Sequence, residues 1–408
     1  MKILHTSDWH LGKRLENFSR LEEQKEVLDE ICTIAEREKV DAVIVSGDLF
    51  DTYNPSAEAV DLFYKTLKRL ADNGKRAVIA IAGNHDSPER IEAPDPLARE
   101  CGIFFAGYPS AVIPLTELES GLKVTQSEPG FVEFSLPGCD IPLRLLLTPY
   151  ANEFRLKAYL GHEASEEELR KLLNDKWSAL ALKYCDSEGV NIMVSHLFFA
   201  RKGSNLPDEP EEEKPILHVG GAQVIYSENI PHQMQYVALG HLHRNQTIDL
   251  NPCPVVYAGS PLSYSFGEAD QKKYAVVIEL EPGEKAILTN HELKTSRRLL
   301  RKKANNVDEA IEWLQNHQSA LVELTMSTET YLTSEERKLL NGAHNGIISI
   351  IPDVKRGDGD LGKLRRTIDL SKGMEDLFTD YFRSEKGQEP NQRILDLFKE
   401  VLAEEGDE

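Results

Sequence analysis

Asp8-Trp9-His10, Gly47-Asp48, Gly83-Asn84-His85-Asp86 and Gly240-His241-Leu242-His243 gather carboxylate, amide and imidazole donors into four short segments. A fifth segment, Asn191-Ile192-Met193-Val194-Ser195, delivers His196. This mixture of hard and borderline ligands suits a pair of divalent cations. One carboxylate can bridge two cations through its two oxygens, and Asp48 is the candidate hub. Two cations held roughly 3.5–4 Å apart can clamp a phosphodiester and sharpen a water into a nucleophile near neutral pH. His85 directly follows an amide donor, where it could protonate a leaving oxygen without being a ligand, and Asp86 is placed to orient that imidazole. Taken singly, each segment has a plainer reading. An Asp after a strand is commonly a turn former or helix cap. Gly-Asn-His-Asp could be an ordinary turn. His241 and His243, one residue apart and facing the same way on an extended segment, would more often be a surface pair. The metal reading rests on the joint pattern.

The elements around these segments decide whether the donors can meet. Lys2 to Thr6 reads as a strand, and 41–46 and 76–81 are near-continuous apolar runs of the kind buried in a parallel sheet. The runs 191–195 and 235–239 repeat the pattern. Every chemical segment begins where such a strand stops, and open α/β folds usually place their sites at such strand ends. Helical stretches are predicted over 20–38, 57–72 and 88–100, giving α/β alternation. Beyond Gly102, short strands at 131–134 and 142–147 suit a second sheet stacked on the first. A helix starts at Ser165, whose spacing to Glu168 makes a capping box, and 202–215 reads as an exposed acidic loop.

Asp-x-His, Gly-Asp, Gly-Asn-His-Asp, a lone His and Gly-His-x-His, in this order, resemble the calcineurin-type metallophosphoesterases. The opening Met1-Lys2-Ile3-Leu4-His5-Thr6-Ser7-Asp8-Trp9-His10-Leu11-Gly12-Lys13, with Tyr236-Val237-Ala238-Leu239-Gly240-His241-Leu242-His243 and Tyr257-Ala258-Gly259-Ser260-Pro261, resembles more specifically the SbcD family of bacterial nuclease subunits, related to the Mre nucleases of double-strand-break repair. The resemblance implies a four-layer α/β/β/α sandwich with a small capping domain and a C-terminal helical extension. It also implies one metal on Asp8, His10, Asp48 and His243, a second on Asp48, Asn84, His196 and His241, and His85 as the catalytic imidazole. Manganese is the metal it implies; the donor set itself also admits iron, zinc or magnesium. The implied activities are exonuclease action on double-stranded ends and endonuclease action on single strands and hairpins. The implied assembly is a heterotetramer of two nuclease subunits with two SbcC-type coiled-coil ATPases.

Length and composition frame the rest. With 408 residues, 40% hydrophobic and 28% charged, the chain is expected to fold into two or three soluble domains. No apolar run reaches the eighteen or so residues that span a bilayer, and no signal-like stretch opens the chain, so a cytoplasmic protein is expected. Five cysteines without a Cys-x-x-Cys pair argue against disulfides or structural zinc. A net charge of −21 is unusual for a DNA-binding protein. Acid, however, concentrates in 163–168, 208–213 and the C-terminus, while base concentrates in 294–303, 355–356 and 363–366. Such basic runs are usually a solvated face, yet here they fall in the region expected to cap the site.

The domain boundaries expected are 1–294 for the phosphoesterase, 295–370 for a small α+β cap and 371–408 for the extension. The cap should hold a helix at 307–317, a strand at 320–326, a helix from Thr333 with Glu336 three residues on, and a strand at 346–351. In the extension, Leu377, Phe378, Tyr381 and Phe382 share one helical face, as do Ile394, Leu395, Phe398, Val401 and Leu402. These faces either pack on the chain's own core or anchor the ATPase partner. No Gly-x-x-x-x-Gly-Lys-[Ser/Thr] occurs, so ATP dependence must come from another chain. Two rivals remain: a phosphoesterase acting on phosphoproteins or cyclic nucleotides, and a non-catalytic scaffold.

Overall fold

The apolar runs become strands in which every residue is buried: Ala42–Ser46 and Ala77–Ile81 lie side by side in parallel, with Lys2–Thr6 on one flank and Ile103–Ala106 on the other. Tyr274–Glu279 and Ile287–Glu292 extend this sheet to six strands in the antiparallel sense. An eight-stranded sheet faces it, with parallel neighbours Leu143–Thr148, Val190–Ser195, Tyr236–Leu239 and Val255–Tyr257 at its centre. The structure is a computed structural model describing residues 1–156, 165–207, 224–269, 271–328 and 332–353, with isolated positions between 377 and 398.

The period of two along a strand sends neighbouring side chains to opposite layers. Ile3, Ile44 and Ile79 meet Leu145, Ile192 and Ala238 between the sheets. Leu4, Val43 and Val45 instead pack outward on Val27, Ile31, Phe63 and Leu67 of the helices Leu21–Glu38 and Ala57–Leu70. Leu146, Met193 and Val237 pack on Leu169, Leu173 and Trp177 of the helix Ser165–Tyr184, completing the α/β/β/α order. Each fully buried aliphatic side chain contributes about 1.5–3 kcal/mol to holding the layers.

Two expectations need adjustment. The helical stretch 88–100 is two short helices, Pro88–Glu92 and Asp95–Glu100. Pro94 and Pro96 lack the amide hydrogens a continuous helix requires, and their rings clash with the preceding turn. Among the described residues after 295 there are three strands, Leu299–Ala304, Leu321–Met326 and Ile347–Pro352, all parallel and joined by the helices Val307–Gln315 and Ser334–Ala343. It is therefore two successive βαβ crossovers and not the α+β mixture expected. Thr333 and Glu336 form the reciprocal capping box at its second helix.

This unit has its own core of Ala310, Leu314, Val322, Leu324 and Leu340. It joins the main body where Leu299 and Leu321 meet Leu15 and Phe266. Its basic strand is largely spoken for: Arg301 pairs with Glu323, Lys302 with Glu309 and Lys303 with Asp353, at 2.6–2.8 Å. The basic clusters at 355–356 and 363–366, the acidic run 208–213 and most of the extension lie outside the described residues. In the extension, the Phe378 and Phe398 rings stack at 4.0 Å.

Candidate metal centre

All five ligand-bearing segments leave the C-terminal ends of parallel strands, three from the first sheet and two from the second. The turns that follow are tight and unusual. Asp8, His10, Asp48 and His241 all adopt positive φ, at 52°, 42°, 47° and 106°. Non-glycine residues rarely do so, and such conformations persist where surrounding structure dictates them. Two glycines have a steric reason. A Cβ on Gly83 would stand 2.0 Å from Asp48 Oδ1, and one on Gly240 would stand 2.0 Å from the Ser46 carbonyl and 2.8 Å from His196 Nδ1.

The donors converge. Asp8, His10 and His243 offer ligand atoms within 4.8 Å of one another, as do Asp8, Asp48 and His196, and every one of these residues is buried. Asp48 Oδ2 faces both groups, 3.6 Å from His10 Nε2 and 3.2 Å from His196 Nε2. His10 Nε2 and His243 Nε2 approach to 3.1 Å. On the other side, Asn84 Oδ1 lies 2.9 Å from His196 Nε2 and 3.2 Å from His241 Nδ1. All seven ligand candidates and His85 thus meet in one place. His241 and His243 do not point the same way, however: the positive φ at His241 breaks the extended alternation and sends the two imidazoles to opposite ends of the cluster.

The donor set fits a pair of divalent cations. Burial raises the Asp8 carboxyl above its ordinary range. At His196 burial opposes protonation, yet the Asp48 carboxylate, Asp8 and a hydrogen bond to Ser46 lift the imidazole to about 9. The cluster therefore favours positive charge at its centre, as buried carboxylates that coordinate metals do.

Groups behind the donors fix their orientation, as outer partners of metal-bound histidines generally do. His196 Nδ1–H donates to the Ser46 carbonyl at 2.8 Å, so Nε2 is the nitrogen turned toward Asp48 and Asn84. His85 Nδ1–H donates to the Asp51 carbonyl at 2.9 Å. His10 Nδ1 has the Asp51 carboxylate at 3.6 Å, and His243 Nδ1 has Glu268 Oε1 at 3.3 Å. Glu268 is buried against Lys273 at 2.5 Å. Burial opposes its ionisation, but the Lys273 ammonium and the His243 imidazole bring it down to about 2. Behind these, His5 spans Tyr236 Oη and Ser46 Oγ, and burial lowers it to about 3.

Asp86 departs from expectation. Its carboxylate does not orient His85; it accepts the backbone amides of Leu49, Phe50 and Gly83 at 2.8–3.0 Å and so ties the Asp48 loop to the Asn84 loop. Burial, then the neighbouring Asp48 charge, raises its pKa. Sequence reasoning missed Asp51 as a carboxylate partner, and missed Glu268 and Lys273 altogether. Asp51 stands three residues after Asp48, close to a recognised donor, whereas nothing local marks Glu268 and Lys273 as buried.

A protein-family model described as calcineurin-like phosphoesterase matches residues 1–245, and the fold and the clustered donors agree with it. The chain belongs to this family, in its SbcD branch. It is 37% identical to SbcD of the SbcCD nuclease of Bacillus subtilis (strain 168), over 99% of this chain and 98% of that one. Proteins of the same name from Staphylococcus epidermidis and Rhodobacter capsulatus are each 30% identical over 69% of this chain, covering 66% and 67% of theirs. The five cysteines are free thiols, and no helix among the described residues is long and apolar enough to cross a membrane.

Proposed function

We propose that this chain is the nuclease subunit of an SbcCD-type complex and hydrolyses DNA phosphodiesters at the centre described above. The observation that carries this reading is the convergence of Asp8, His10, Asp48, Asn84, His196, His241 and His243, with His85 beside them, in a chain 37% identical end to end to a named nuclease subunit. Asp8, His10, Asp48 and His243 would hold one cation and Asp48, Asn84, His196 and His241 the other. Bound there, two divalent ions, manganese in our reading, supply Lewis-acid activation of water and neutralise charge on the phosphate. The chain's own groups do the rest. The Asp51 carbonyl takes the Nδ1–H of His85 and so aims Nε2 at the leaving oxygen, to which the ring delivers a proton as the imidazolium. Asp86 keeps the loops of Asp48 and His85 in register. Glu268 holds the His243 ring in place.

The βαβαβ unit serves in this reading as a cap over residues 295–370. A cleft of about 440 Å³ between it and the core is lined by Arg244, next to His243, and by Arg301. A larger cavity of about 700 Å³ opens among Asn191, Gln235 and Cys253, the first two at the start of the strands whose far ends carry His196 and His241. Residues 371–408 would bind an SbcC-type ATPase, two copies of each chain forming a cytoplasmic heterotetramer. Partner surfaces and the cations would offset the charge of −21.

The test is incubation of the purified chain with manganese and, separately, linear duplex DNA, a cyclic nucleotide and a phosphopeptide. The DNA is cleaved. His85→Ala lowers cleavage by about 10²–10⁴-fold while calorimetric manganese binding persists. Turnover of a small phosphoester alone, or loss of metal together with activity in that variant, contradicts the proposal.

A further inference from the structure

Arg155 belongs to none of the motifs, yet its guanidinium is built into the centre. It sits in the short helix Glu153–Leu156, just past the strand Leu143–Thr148 of the second sheet, and is 3% exposed. From there it reaches a loop of the first sheet. Nη1 donates to the Gly83 carbonyl at 2.7 Å, and Nη2 donates to the Asp86 carbonyl at 2.8 Å and to Tyr53 Oη at 3.1 Å. The two carbonyls flank Asn84 and His85. Tyr53 lies on the segment that follows Asp48, so one rigid fork grips the loops of both donors from outside. The guanidinium also lies 5.1 Å from the centroid of the Tyr150 ring.

Burying a guanidinium against carbonyl oxygens, with no carboxylate at ion-pair distance among the described residues, costs solvation that an apolar side chain would not. What distinguishes the group is geometry: the planar fork holds its acceptors at a fixed spacing and direction, which a single lysine ammonium or an apolar residue cannot. From the inner side, the same loop is held by the His85 amide donating to Asp48 Oδ1 at 2.9 Å and by Asp86 Oδ2 accepting the Gly83 amide. Arg155 closes the outer side.

We propose that Arg155 is a positioning residue for catalysis, clamping the Gly83–Asp86 loop so that Asn84 and His85 enter the centre from a fixed backbone. The proposal rests on the reading of Asn84 as a metal ligand and His85 as a proton carrier. Its consequences are specific. Loosening the clamp should weaken the cation that Asn84 would hold more than the one on His10 and His243, and slow turnover through misplacement of His85.

The experiment compares the full chain with Arg155→Met and Arg155→Lys. Manganese binding is followed by titration calorimetry, and steady-state hydrolysis of bis(p-nitrophenyl) phosphate is followed at saturating manganese. Arg155→Met is expected to weaken one of two manganese sites by roughly 10–100-fold. It is expected to lower kcat by about 10²-fold with KM unchanged. Arg155→Lys, which keeps the charge without the fork's fixed geometry, should fall between. Unchanged kcat in both variants overturns the proposal, as does equal weakening of both sites alongside a lowered Tm, the signature of a structural role alone. A wild-type chain that binds no manganese overturns it together with the metal centre. If the wild type hydrolyses the small diester and leaves DNA intact, the DNA reading fails while the clamp is still measured.

Discussion

Removal of Lys273 separates the two tasks of the charge pair behind His243. The side chains of Lys273 and Glu268 are only 4% and 6% exposed and meet at 2.5 Å. Lys273 Nζ also donates to the His243 carbonyl and to Ser260 Oγ, both at 2.9 Å. Burial alone lowers the Lys273 pKa, and the Glu268 carboxylate opposes that shift. Lys273→Met leaves a buried carboxylate without its cation, which costs about 3–5 kcal/mol. At roughly 2–4 °C per kcal/mol, that is a fall in Tm of about 6–20 °C. Glu268→Gln keeps the shape but weakens the hold on His243 Nδ1, so manganese affinity should drop roughly 10–100-fold. Lys273→Met keeps Glu268 and with it most of the affinity. The double variant exchanges the pair for neutral groups of similar size and should recover much of the lost stability. Thermal melts in chelator and calorimetric manganese titrations of the three variants measure both quantities. Additive losses in the double variant, or wild-type manganese affinity in Glu268→Gln, would refute the account.

Other perturbations are simpler. Gly83→Ala drives a Cβ to 2.0 Å from Asp48 Oδ1, so the shared ligand must move; manganese binding should be lost in calorimetry, at a folding cost of about 1–3 kcal/mol. Manganese at 100 times its Kd should stabilise the chain by about 2.7 kcal/mol in chemical denaturation, and chelator should abolish the gain; equal midpoints with and without metal contradict the centre. Burial opposes ionisation of Glu133, but Arg144, Thr125 and Gln126 hold its carboxyl below the ordinary 4.5. A depressed folded pKa gives stability that is whole above the unfolded value and fades as pH falls through the folded one. Glu133→Gln should therefore flatten the acid limb of Tm against pH; an unchanged limb counts against the pairing.

The ligands were legible because each is written locally: an apolar run and then a donor at five strand ends, with a glycine between them at Gly47, Gly83 and Gly240. The layers followed from the same runs, since strands buried on both faces need cover on both sides. What stayed hidden depends on tertiary contacts or on a single dihedral. Asp86 reads as a partner for the adjacent His85, but the turn aims its carboxylate at backbone amides from another loop. His241 and His243 divide because one residue has positive φ. Glu268, Lys273 and Arg155 look like surface charges in sequence; only the fold buries them. The basic run of 294–303 reads as a free face until Glu309, Glu323 and Asp353 pair with Lys302, Arg301 and Lys303.

The centre draws Asp8, His10, Asp48 and Asn84 from one sheet and His196, His241 and His243 from the other. Each proposed cation would consequently act as a rivet through the interior seam of the sandwich, not as a passenger in a preformed cup. Slippage of one sheet against the other, even by a fraction of an ångström, would reach the reaction as a change in coordination. Turnover in such an enzyme becomes a gauge of how well its two halves are aligned.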